Sequence, residues 1–129
     1  MNSGKLTKLE SEWRAMVVDF AWSSRWLNDM YGNDCITPYL FEIDHIIGAK
    51  AKRKINGETV KVGELAIMPL SFELHNIRSN HELNRTLRPA AYRKMYGHEK
   101  QVWRDMLYAM VDAGYELPFN NDLIEGVMR

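Results

Sequence analysis

FEIDHIIG, residues 41–48, and ELAIMPLSFELHNIRSNHELN, residues 64–84, are the two stretches whose reading decides the fold of this chain. In the first, Ile43, Ile46 and Ile47 flank the Asp44-His45 pair, the composition of a short and mostly buried strand. In the second, the apolar run Leu65-Ala66-Ile67-Met68 reaches Pro69 and gives way to a segment carrying His75 and His81. The expected centre is a strand, a basic connection, a return strand and a helix. Together they make an α+β core.

Working outward, both flanks read as helical. Met1 to Lys5 is polar and expected to be loose. Thr7 and Glu10 match a capping box, and Leu9, Trp13, Met16, Val17 and Phe20 follow with helical period. Trp22, Trp26, Leu27 and Met30 keep the chain apolar to Tyr31, either as a continuation or after a break near Ser23-Ser24. Gly32-Asn33-Asp34 signals a turn, and Thr37-Pro38 favours extended chain before the strand. After the centre, Pro89 opens a helix that runs through Tyr96 and stops at Gly97. His98 or Glu99 opens the last long helix, with Val102, Trp103, Met106, Leu107, Met110 and Val111 as its apolar stripe and Gly114 past its end. Leu117-Pro118 leads into a tail from Asn120 to Arg129 with room for a further helical turn or two.

The connection between the two strands carries Lys50, Lys52, Arg53, Lys54 and Lys61, with Asn56-Gly57 as a tight turn. Such a span is either a solvated hairpin tip or a basic loop that tracks a phosphate backbone. Its place directly after Asp44-His45 favours the second reading.

Composition narrows the class. The chain has 129 residues, enough for one domain with its own core, and its 46% hydrophobic and 26% charged content argues against disorder. Seventeen basic and 17 acidic side chains give a formal net charge of zero, so affinity for nucleic acid must come from a local patch. The one cysteine, Cys35, excludes an intrachain disulfide and any zinc site built on two thiolates. Without an 18-residue apolar run or a basic-then-apolar leader, a soluble, cytoplasmic protein is expected.

Asp44 is a hard oxygen ligand, and a neutral histidine can take a proton from water at neutral pH. Neighbours on a strand point to opposite faces, so the natural division gives Asp44 to a metal and His45 to the water. One divalent ion can then spread charge over a phosphorus centre and help an oxygen leave. His75 is the second expected ligand. His81, six residues on and about 240° around a continuous helix, joins it only if the helix ends between them; Ser79-Asn80 permits that, and Asn84 is the fallback. Glu64 is placed to orient His45 or the loop. Two-His-one-carboxylate sites also serve non-haem iron oxygenases, but this chain has too few strand signals for the barrel that usually carries them.

At these residues the sequence resembles the HNH, or ββα-metal, nuclease superfamily, and within it the phage-encoded Ref-like recombination-enhancement nucleases. Phe41 to Gly48 resembles the family's first strand, and Gly63 to Leu70 its return strand. Ser71-Phe72-Glu73-Leu74-His75 resembles its Cys-Pro-Glu-His-His segment. His81 to Gly97, ending Ala91-Tyr92-Arg93-Lys94-Met95-Tyr96-Gly97, resembles its further His and aromatic-basic helix. The likeness spans roughly residues 36 to 104. It implies Asp44, His75 and His81 as metal ligands, with His45 activating water. The family's cysteines are absent, with Ala21-Trp22-Ser23-Ser24 and Leu70-Ser71 in their places, and its central Asn has no equivalent nearer than Glu64.

The expected protein is thus a single domain: helical support over residues 1–38, an HNH core over 39–86 and C-terminal helices over 87–129. Its expected activity is metal-dependent cleavage or nicking of DNA, in a bacterial or phage-infected cell, with a recombinase filament as a candidate partner. Mg²⁺ or Mn²⁺ is the expected ion, and the mixed donors would also take Zn²⁺ or Ni²⁺. Lys50, Lys52, Arg53, Lys54, Lys61 and Arg85 are the expected DNA contacts. Two other classes compete. One is a DNA-binding or recombination accessory module that kept the fold without the chemistry; the other is an interaction domain presenting Trp13, Trp22, Trp26 and Trp103.

Overall fold

Thr7 starts the first helix as its sequence dictates. Its hydroxyl accepts the Glu10 N–H at 3.1 Å while the Glu10 carboxylate accepts the Thr7 N–H at 2.9 Å. A computed structural model describes residues 5–35 and 40–129, so the expected loose residues 1–4 and the extended Thr37-Pro38 lie outside the described residues. Helix α1 spans Lys8–Ser23 and buries Trp13, Val17, Phe20 and Ala21, whereas Leu9 falls off the stripe into solvent. Of the two continuations the sequence allows, the chain takes the break. Ser24 is extended, its Oγ accepts the Trp26 N–H at 3.2 Å, and α2 restarts over Trp26–Tyr31.

Strand β1, Phe41–His45, pairs antiparallel with β4, Ile67–Ser71, in the register Asp44 to Met68 and His45 to Ile67. All five residues of β4 are buried, as a continuous apolar run requires. The basic span does not remain a loop. It forms its own hairpin, β2 (Lys52–Ile55) and β3 (Glu58–Lys61), in a second two-stranded sheet. Asn56 and Gly57 both have positive φ, 52° and 83°, the conformation of a tight hairpin turn.

The hairpin leaves β1 through Gly48 and returns against it at its base. Val62 and Gly63 both donate to the Ala51 carbonyl, at 2.9 and 3.1 Å. At its far end Ile55 packs on α6, Asn121–Met128, where a Cβ on Gly126 would stand 3.1 Å from the Ile55 side chain. Asn56 Nδ2 donates to Asp122 at 3.0 Å. The C-terminal tail therefore holds a full helix, capped by Asn120.

Helix α3 is a single turn, Phe72–His75, capped by Ser71; a 3-10 turn follows over Ile77–Ser79. The chain then runs irregularly to α4, Pro89–Tyr96, and α5, Glu99–Asp112, with His98 as the N-cap. Two apolar clusters form the interior. One gathers Trp13, Val17, Ile67, Met68, Trp103, Met106 and Val127; the other gathers Leu27, Tyr31, Leu70, Leu74 and Tyr92. Trp13 and Trp103 are fully buried, so neither can serve a partner surface as the interaction-domain alternative requires. Trp22 is more than half exposed, against Phe41.

Candidate functional site

Alternation along β1 sends Asp44 and His45 to different partners. On the Asp44 side, Arg85 grips the carboxylate with a two-pronged fork, Nη2 to Oδ1 at 2.5 Å and Nε to Oδ2 at 2.6 Å. Arg85 Nη1 also reaches Glu99 at 2.8 Å, and Arg93 holds the same Glu99 at 2.6 and 3.0 Å. The side chains of Asp44 and Glu99 are each only 3% exposed. Burial alone would raise the pKa of Glu99, but hydrogen bonds from Arg93 and the charge of Arg85 outweigh it and bring it to about 2. Burial likewise opposes the charge on Arg85, and the Asp44 carboxylate more than restores it, so its pKa is raised.

His75, at the C-terminal end of α3, comes to the same carboxylate. Its Nε2 lies 3.6 Å from Asp44 Oδ1, while Nδ1 lies 2.5 Å from Glu42 Oε1. Glu42 also accepts from Asn76 Nδ2 at 3.0 Å; these hydrogen bonds, against the effect of burial, lower its pKa. In the tautomer whose Nδ1 proton goes to Glu42, Nε2 is the unprotonated nitrogen, 3.6 Å from Asp44. That is how a carboxylate orients a histidine for a metal.

On the other side, His45 Nε2 meets Glu64 Oε1 at 2.8 Å, and Arg14 Nη2 donates to the same oxygen at 3.1 Å. Trp13 sets this geometry: its Nε1 donates to the Leu65 carbonyl at 2.8 Å, pinning α1 beside the loop that carries Glu64. Glu64 also lines a cleft of about 430 Å³ whose other walls include Lys5, Lys50, Lys52 and Lys61. Lys52 and Lys61 are paired across the ladder. Like charges placed directly opposite are unfavourable by themselves, and an anion in the cleft would offset that.

The remaining expected residues are placed as follows. His81 does not come to Asp44; its Nε2 faces Asp34 at 3.2 Å and Nδ1 accepts the Leu83 N–H at 3.0 Å. The helix does end between His75 and His81, but the chain then carries His81 to the Asp34 carboxylate, to which the Tyr96 hydroxyl also donates. Asn84 is buried and used in full: its amide nitrogen donates to the Glu73 and Asn76 carbonyls and to Ser79 Oγ, and its oxygen accepts the Leu87 N–H. It closes the loop after α3. Lys54 is exposed on the hairpin, and Arg53 bonds the Lys52 carbonyl. Arg85 is turned inward, away from the role of a surface phosphate contact.

Sequence reasoning missed Arg14, Glu42 and Glu99. Arg14 sits in a helix without a motif, and its partner is 50 residues away. Glu42 alone had a local signal, since it shares a strand face with Asp44 two residues on.

Among the described residues, no group of three His, Cys, Asp or Glu side chains is placed to hold a metal ion. Two donors do converge. A gap of 3.6 Å between Asp44 Oδ1 and His75 Nε2 is within the span of two bonds of about 2.1 Å each. In donor chemistry the pair fits a divalent cation, and Arg85 now occupies the carboxylate. No helix among the described residues is long and apolar enough to cross a membrane. Comparison of the chain with protein-family models, with curated proteins and with solved structures finds no match.

Proposed function

We propose that the chain is a divalent-cation-dependent DNA endonuclease or nickase of the HNH type. The observation that carries the reading is the end of β1: Asp44 meets His75 on one face, and His45 meets Glu64 and Arg14 on the other, beside a lysine-lined cleft. A DNA backbone lying in that cleft is held by Lys50, Lys52 and Lys61. A phosphate reaching both faces lies at the end of the strand, which stops at His45.

With its Nε2 proton donated to Glu64, His45 keeps Nδ1 as the free base and takes the proton of the attacking water there. Glu64 fixes the ring and stabilises the imidazolium that forms. Arg14, anchored on Glu64, adds positive charge beside the phosphate, where charge builds in the transition state. Asp44 and His75 would hold the divalent ion, which when bound supplies Lewis-acid stabilisation to the phosphate and the leaving oxygen.

The test is nicking of supercoiled plasmid in Mg²⁺ or Mn²⁺ by the wild-type protein and by His45→Ala, with an EDTA control. Metal-dependent nicking that is lost in the variant is expected; nicking that survives in it overturns the assignment of the base. The second reading, a DNA-binding module without cleavage, is favoured by the closed Asp44–Arg85 fork. Plasmid that is shifted in a gel yet stays uncut would select it.

A further inference from the structure

Asp44 is almost fully buried, and among the described residues Arg85 is the one permanent cation within salt-bridge distance of it. Taking Arg85 away leaves a buried carboxylate uncompensated, unless another cation replaces it. Glu99 does not share this dependence. It has Arg93 through two hydrogen bonds in addition to Arg85, and Arg93 needs nothing from Asp44. Arg85 therefore stands between one carboxylate that relies on it and one that does not. His75 Nε2 lies 3.6 Å from Asp44 Oδ1, the oxygen that Arg85 Nη2 holds, and Glu42 holds the other ring nitrogen of His75.

We propose that Arg85 is an exchangeable counterion of Asp44. Its guanidinium and a divalent cation compete for the same carboxylate, and Glu99 keeps Arg85 anchored through Nη1 when the cation enters. This rests on the reading of Asp44 and His75 as ligands, and adds a gate to it. The protein without cation is closed by its own arginine, and loading is an exchange of one cation for another. In both states the buried Asp44 carboxylate faces a cation, so it is never left uncompensated. It also accounts for a carboxylate gripped on both oxygens by Arg85 although His75 Nε2 lies 3.6 Å away.

The test is Mn²⁺ binding by calorimetry to the full chain, in wild type, Arg85→Met, Arg93→Met and His75→Ala, with thermal unfolding of each with and without Mn²⁺. Arg85→Met is expected to bind Mn²⁺ tighter by roughly tenfold or more, as when a competitor holds the competent fraction at a tenth or less. Its melting temperature should fall without the ion and recover with it. Arg93→Met removes an equal charge from the same cluster without touching Asp44, and should change affinity by no more than about twofold. If Arg85→Met does not fold without the ion, Arg85→Lys, which keeps the charge and loses the fork, should fold and bind at intermediate affinity. Equal tightening in Arg85→Met and Arg93→Met overturns the exchange in favour of a general charge effect. Unchanged affinity in Arg85→Met, with binding that His75→Ala abolishes, overturns the gate and leaves the ligands standing. No Mn²⁺ binding by wild type or by Arg85→Met overturns both.

Discussion

Gly63 lies so close to Ala49 that a Cβ at position 63 would stand 2.3 Å from the Ala49 carbonyl oxygen. The approach is backbone against backbone, so no flexible side chain can give way. It sits at the base of the β2–β3 hairpin, one residue before Glu64, and so fixes where that carboxylate leaves the chain. Gly63→Ala should cost about 2–3 kcal/mol, the upper part of the range for overpacking. The check is the urea midpoint, with the slope of the transition unchanged.

The His45–Glu64 pair makes a graded prediction. His45→Ala should lower the nicking rate by roughly 10²–10⁴-fold. Glu64→Gln should lower it less, because the ring keeps its base nitrogen but loses the charge that stabilises the imidazolium. Both variants should melt within a few degrees of wild type, their side chains being about one-fifth to one-quarter exposed. A Glu64→Gln protein with full activity would remove Glu64 from the mechanism.

Lys52 and Lys61 should act on affinity and not on the chemical step. Each change to alanine should weaken binding about equally for unrelated DNA sequences and reduce the slope of log affinity against log salt by roughly one. Fluorescence anisotropy across a sodium chloride series reads this directly. Because the two lysines oppose each other in the ladder, either change should leave folding stability unchanged or slightly higher.

Glu99 predicts an acid limb. Its pKa falls from 4.5 to about 2 in the folded chain. A group depressed on folding contributes stability above its unfolded pKa and loses it as pH falls toward the folded value. Wild-type stability should therefore decline between about pH 4.5 and 2, by up to about 3 kcal/mol from this one group. Glu99→Gln should be less stable at neutral pH, where Arg85 and Arg93 lose a partner, and should show a flatter decline below pH 4.5. Urea midpoints from pH 7 to pH 3 test both.

What the sequence made legible was local. The Thr7–Glu10 box, the Asn56-Gly57 turn and the Pro89-to-Gly97 helix each depend on residues within a turn or two of one another, and each is where the residues place it; the break after Ser23 was one of two courses the sequence left open. The strand carrying Asp44-His45 and the apolar return strand were also readable as strands; the return strand is buried throughout as its apolar run announces, whereas the first is only part-buried and Asp44 is its one buried residue. The hairpin was harder. Its strands bring only Ile55 and Val60 to the interior among lysines and polar groups, so its period is hidden and a loop and a strand read alike. Long-range partners were not readable. Nothing near His81 announces Asp34, and nothing near Arg14 announces Glu64, because the pairing depends on how α1 and the loop after α3 pack. Asn84 shows the same limit: whether a buried amide binds an ion or closes a loop depends on which carbonyls surround it.

The hairpin is held at both ends. At its base the Ala51 carbonyl takes two N–H groups, and at its tip Ile55 rests on Gly126 while Asn56 reaches Asp122. That makes it a lever whose fulcrum lies beside Glu64 and whose load bears on the C-terminal helix. A methyl at position 126 would stand 3.1 Å from the end of the Ile55 side chain, which would have to give by a few tenths of an ångström, so the hairpin tip and the C-terminal helix set each other's spacing at this one contact.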